Sequence, residues 1–150
     1  MTQWFYPRGT LRRGPWETVV DQELAGWKHT GMRVADAKDA PEFHIAPDGI
    51  ERVIYVLQGT GAEVTYTLAG ASESETIELS GRQSVFHGAV DYLYLPINTD
   101  ITIRPHTRVM VVEAIASNPK PVQLRRAADV PRLLRGGGRS TRQIHDFGGE

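Results

Sequence analysis

Residues 51–66, ERVIYVLQGTGAEVTY, limit the fold more than any other stretch of the chain. Val53, Ile54, Tyr55, Val56 and Leu57 form a β-branched and aromatic run that is apolar on both faces. Such a run suits a strand with both sides covered. Gln58-Gly59-Thr60-Gly61 then interrupts it, with two glycines free to take the positive φ of a tight turn. Beyond the turn the pattern is strict alternation, with Ala62, Val64, Tyr66 and Leu68 facing one way and Glu63, Thr65 and Thr67 the other. The expectation is one β-hairpin with a specified inner face.

The flanks read as strand as well. A first strand is expected over residues 27–35, and a short one over 42–45 before the Pro47-Asp48-Gly49 turn, where proline fixes φ and Asp-Gly tolerates unusual angles. Further strands are expected over 76–79, 83–86, 92–95, 101–103 and 109–116, with glycine and proline punctuation between them. About eight short strands at this spacing, with no helical period among them, define an antiparallel sandwich or barrel. Residues 1–26, rich in Arg, Gly, Pro and aromatics, are expected to form an arm, and 27–117 the barrel. Residues 118–150 form a tail: one or two helical turns around Ala127 broken at Pro131, a Gly136-Gly137-Gly138 joint, then an extended segment over 140–147.

Composition narrows the function. The chain of 150 residues suits a single domain, and its absence of cysteine removes thiolate and disulfide chemistry and fits a cytoplasmic protein. No run approaches the ~18 apolar residues of a membrane span, and no secretory h-region follows Met1. The net charge of −1 divides unevenly: residues 1–117 carry 10 Lys/Arg and 15 Asp/Glu, and residues 118–150 carry 7 and 3. The basic tail lacks interleaved aromatics, so no nucleic-acid partner is expected. There is no P-loop, nucleophile elbow or dinucleotide fingerprint.

The glutamate at 51, the strand ending in Gly59 and the Gly-x-Gly turn resemble the first motif of the cupin barrels. That resemblance implies an all-β, jelly-roll antiparallel barrel, and a metal site of a His-x-His pair, a glutamate and a further histidine. Glu51 and His44 fall where two of these donors could lie, while Ala46 and Ile101 stand at the other two positions. The chain itself is therefore expected to hold no metal, with His44 and Glu51 as vestiges of the set.

A closer resemblance runs through WxHTGMRV from Trp27, GRQSVFHG from Gly81 and RGGGRSTRQIHD from Arg135. Over residues 27–147 the chain resembles the N-terminal half of the 5-deoxy-glucuronate isomerase family of bacterial myo-inositol catabolism. That family is a bicupin which interconverts aldose and ketose forms of a deoxy sugar acid, and its divalent metal lies in the second barrel. The resemblance implies that this chain is the non-catalytic half, either a piece of a longer isomerase or a stand-alone barrel. A stand-alone barrel could bind a small sugar acid, with Arg82, Arg104 and Arg108 as candidates to grip its carboxylate bidentately. It could equally be an interaction module, and exposed edges with an aromatic arm lead us to expect a homodimer.

Overall fold

In a computed structural model, which describes residues 5–24 and 26–146, the chain is all-β and antiparallel. The strands are β1 (Trp16–Val20), β2 (Thr30–Asp36), β3 (Phe43–Ile45), β4 (Ile50–Thr67), β5 (Glu75–Arg82), β6 (Tyr92–Leu95), β7 (Asp100–Pro105), β8 (Arg108–Ile115), β9 (Gln123–Arg125), β10 (Arg132–Arg135) and β11 (Arg142–His145). Two single-turn 3-10 helices, Ala127–Asp129 and Gly138–Ser140, interrupt the tail. No helix among the described residues is long and apolar enough to cross a membrane.

Strand β4 organises the fold by belonging to two layers. Its first half lies between β8 and β6 in the order β1-β2-β8-β4-β6-β9. Its second half lies between β5 and β7, with β3 beyond β7. Inner-facing Ile54, Val56, Val111 and Leu93 of one layer meet Val64, Ile101, Ile103 and Phe43 of the other in a single apolar core.

The expected hairpin is therefore a correction: residues 50–67 are one strand of 18 residues. The glycines serve close approach and bending rather than chain reversal. The β4–β8 register shifts by one residue between Val56 and Gln58, a bulge that re-aims the strand from one layer to the other. Gly59 has φ +106°, and a Cβ there would strike the Thr107 side chain. A Cβ on Gly61 would lie 2.5 Å from the Leu79 carbonyl oxygen. Leu79 lies on β5 and Thr107 in the turn between β7 and β8, both distant in sequence, so a local turn signal stood in for a tertiary one.

Other boundaries move for similar reasons. Residues 83–86 are not a strand; β5 runs on to Arg82 and the chain then turns through an exposed loop. The first expected strand splits: Trp27 and His29 lie outside β2, and Trp16–Val20 of the expected arm adds a strand beside it. The helical turns near Ala127 shrink to one 3-10 turn, and β10 pairs with β11 as a separate hairpin around Gly136, whose φ is +92°.

The strand ladder does not close into a ring. At the seam between β5 and the tail, buried Asp91 takes the place of backbone pairing. Its carboxylate accepts the Ser80 N–H at 2.9 Å, the Ala127 N–H at 2.8 Å and the Arg126 guanidinium at 2.7 Å. Burial would raise the Asp91 pKa, but these three donors outweigh it and hold the carboxyl below the ordinary aspartate value.

Candidate functional site

Strand parity decides which side chains reach the interior. On the first half of β4, Arg52, Ile54 and Val56 point inward, while Glu51, Val53 and Tyr55 point out. Register carries the assignment across the layer: Arg52 lies opposite Glu113 of β8, and Glu113 opposite Gly31 of β2. Arg33 follows Gly31 on the same inner row.

These residues form one charged cluster at an end of the core. Arg52 and Glu113 have side chains only 1% and 2% exposed and meet through Nε and Oε1 at 2.9 Å. The other Glu113 oxygen accepts from Arg33 Nε at 2.9 Å. Arg52 turns its remaining nitrogens to Asp48, at 2.9 Å and 2.7 Å. Asp48 belongs to the Pro47-Asp48-Gly49 turn and also caps the Ile50 N–H at 3.0 Å. Burial alone would lower the Arg52 pKa, but Asp48 and Glu113 overcome it and raise the pKa above the ordinary arginine value. Trp16 of β1 lies 5.5 Å from the Arg33 guanidinium carbon, in cation–π range, and packs edge-on against Phe43 at 4.5 Å.

The cluster balances two guanidiniums against two carboxylates. Both oxygens of Glu113 and both of Asp48 are engaged by donors. Each carboxylate is thus held in an ion pair with a guanidinium. One edge of Arg33 remains: Nε is taken by Glu113, the side chain is 25% exposed, and its terminal nitrogens have no hydrogen-bond partner among the described residues. What this cluster can offer a solute is cationic donation toward an anion.

The residues expected from sequence lie elsewhere. His44 points outward from β3, half exposed, with Nε2 3.0 Å from each oxygen of Asp100. Glu51 points outward from β4 and accepts the Tyr94 hydroxyl at 2.8 Å. Burial, with Glu51 behind it, pushes the Tyr94 pKa up to about 12. His44 and Glu51 thus occupy the outer faces of different layers and do not converge. Among the described residues no group of three or more His, Asp or Glu is placed to hold a metal ion.

The three arginines are also apart. Arg104 is exposed and shared between Glu42 and Glu63. Arg108 makes a bidentate pair with Glu17, both bonds 2.9 Å. Arg82 donates to the carbonyls of Leu57 and Gly88, each at 3.3 Å, and burial holds its pKa below the ordinary arginine value despite Tyr55 nearby. A surface groove of about 330 Å³ between the N-terminal segment and the loop after β1 contains Arg12 and Arg13, but these are paired with Asp39, Asp21 and Glu23. Sequence reasoning missed Arg33, Arg52 and Glu113. Their signal was a charge inside an otherwise apolar strand, Glu113 within RVMVVEAI.

Two antiparallel layers around one core, sharing a bent central strand, define a cupin-type protein. The chain belongs to the KduI/IolB family, whose model matches residues 4–150. Among solved structures, an IolB-like protein from Salmonella typhimurium LT2 superposes with a TM-score of 0.74 at 23% identity, over 89% of this chain and 50% of that one. The chain thus spans half the length of that relative. Protein Ylba from E. coli gives a TM-score of 0.40 at 15% identity, over 84% of this chain and 58% of that one. Hazelnut (Corylus avellana) vicilin gives 0.37 at 14%, over 65% and 25%. No curated protein matches the chain.

Proposed function

We propose that this chain is the non-catalytic, N-terminal-type cupin half of a 5-deoxy-glucuronate isomerase-like protein of inositol catabolism, acting in the cytoplasm. The observation that carries the reading is the self-satisfied inner cluster. Aldose–ketose isomerisation needs a base to move a proton between adjacent carbons, commonly beside a divalent ion that polarises both oxygens. Here every oxygen of Glu113 and Asp48 already accepts from a guanidinium, so both carboxylates are committed to ion pairs that support the inner end. Its donor set does not suit a divalent cation, because two guanidiniums already hold the carboxylates. The metal and the proton transfer are assigned to a second barrel.

The test incubates the purified chain with 5-deoxy-glucuronate and manganese, iron, nickel or zinc, and follows the aldose and ketose signals by NMR. The expected result is no conversion above the protein-free rate. Conversion that disappears in Glu113→Gln would overturn the reading.

Arg33 favours a second role, retained binding of a sugar acid. Its terminal nitrogens, on a side chain 25% exposed, can take a carboxylate, and the guanidinium lies 5.5 Å from the buried Trp16 ring, which reports on it. Glucuronate titrated against the chain should then shift the Trp16 fluorescence, and Arg33→Met should abolish the shift. An identical titration in Arg33→Met would remove this second role.

A further inference from the structure

Arginine pairing singles out one corner of the structure. Between Arg8 and Arg126, every arginine but two makes an ion pair with an aspartate or glutamate. The exceptions are Arg82 and Arg125, which make no ion pair among the described residues. Arg132, Arg135, Arg139 and Arg142 of the tail stand exposed in water, whereas Arg82 and Arg125 are both partly buried.

The two exceptions flank the same tyrosines. On the outer face of the β1-β2-β8-β4-β6-β9 layer, Tyr55 of β4, Tyr92 of β6 and Arg125 of β9 follow one another in register. At the usual strand spacing, that row spans about 10 Å of backbone. Arg82 arrives from the end of β5, and its Nε donates to the carbonyl of Leu57, two residues beyond Tyr55. Its charge is close enough to oppose the rise that burial gives the Tyr55 pKa. Tyr92, in the middle of the row, is buried.

The donors at this corner are under-used. Arg82 spends Nε and Nη1 on two neutral carbonyls, each at a long 3.3 Å, and Nη2 has no hydrogen-bond partner among the described residues. The Arg125 guanidinium donates to none of them. The Tyr55 hydroxyl gives its proton to the Met110 sulfur at 3.2 Å, a weak acceptor. Carboxylates that could compensate are committed elsewhere. Glu51 lies about 13 Å from Tyr55 along β4 and accepts from Tyr94. Asp91, beside Tyr92 but on the other face, is held by Ser80, Ala127 and Arg126.

We propose that Arg82 and Arg125 form a binding site for a small doubly charged oxyanion, a phosphate monoester or a dicarboxylate, with the Tyr55 hydroxyl as a further donor. Two guanidiniums without a carboxylate carry two positive charges, so a dianion completes the local balance and a monoanion leaves one charge over. Their free edges match pairs of carboxylate or phosphate oxygens. The site is on the opposite side of the sheet from Arg33 and stands apart from the isomerase reading.

Titration of the full chain with inorganic phosphate and with succinate, at constant ionic strength, tests it through the arginine Nε–Hε NMR signals. The Arg82 signal should move with one-to-one saturation for at least one anion, and the Arg104 signal should stay. Arg82→Gln also removes the bonds to Leu57 and Gly88, so Arg125→Gln, which breaks no side-chain bond among the described residues, decides the matter. It should weaken binding about tenfold or more, while Arg104→Gln should bind as wild type does. Saturation by phosphate alone identifies a phosphorylated ligand, and by succinate alone a dicarboxylate. No movement of the Arg82 signal with either anion at millimolar concentration, an unchanged affinity in Arg125→Gln, or an equal loss in Arg104→Gln would each overturn the proposal.

Discussion

Removing the Glu113 carboxylate should be among the most damaging single changes available to this fold. In Glu113→Ala, Arg52 stays buried with 1% of its side chain exposed and keeps the Ile50 carbonyl and a single carboxylate, Asp48, itself partly in solvent. Arg33 loses its only hydrogen-bonded carboxylate, although it can turn toward water. Deleting one partner of a buried ion pair costs about 3–5 kcal/mol, because the other charge is left uncompensated. For a domain whose whole stability is about 5–15 kcal/mol, that is a large share. In urea, with a slope of about 2 kcal/mol per molar, the unfolding midpoint should fall by roughly 2 M. Removing both charges should cost less than removing one, so Arg52→Met with Glu113→Leu should recover much of the loss. Tryptophan fluorescence follows the transition, with Trp16 beside the cluster as a local reporter. A midpoint for Glu113→Ala within about 0.3 M of wild type, the size expected of an exposed pair, would refute the cluster as a buried support.

Two other changes test the frame around the cluster. Gly31→Ala places a Cβ 2.8 Å from the Val20 carbonyl oxygen, so β1 must shift. A loss of about 1–3 kcal/mol is expected, and an unchanged melting temperature would show that β1 yields freely. Asp91 tests the seam by pH: its folded pKa lies below the unfolded value near 3.9. Its stabilisation is therefore full above that value and is lost as pH falls through the folded pKa. Asp91→Asn should be less stable at neutral pH yet lose less stability on acidification; parallel acid titrations of the two proteins would count against the seam.

What the sequence revealed depended on how local the cause was. Alternation from Ala62 to Thr67 gave the inner face correctly, because the outer partners of that half are polar and the period is unambiguous. Pro47-Asp48-Gly49 was legible as a turn because Asp48 caps the Ile50 N–H two residues away. The Gly-x-Gly segment was misread because Gly59 and Gly61 answer to Thr107 and Leu79, which no local pattern can display. The open seam was equally hidden, since Asp91 joins Ser80 to Ala127 across long loops.

The site was obscured by the apolar run that precedes the bend in β4. Over residues 53–57 both faces are apolar, so periodicity could not say whether Glu51 or Arg52 enters the core. Family likeness drew attention to Glu51, the outward neighbour, and away from the arginine beside it. Glu113 resolves the ambiguity, since a carboxylate lodged in an apolar strand demands a cation across the ladder, and the register supplies Arg52. Once Arg52 is fixed as inward, Val53 and Tyr55 must be outward, where both are partly buried by the chain itself and the Tyr55 hydroxyl donates to the Met110 sulfur at 3.2 Å.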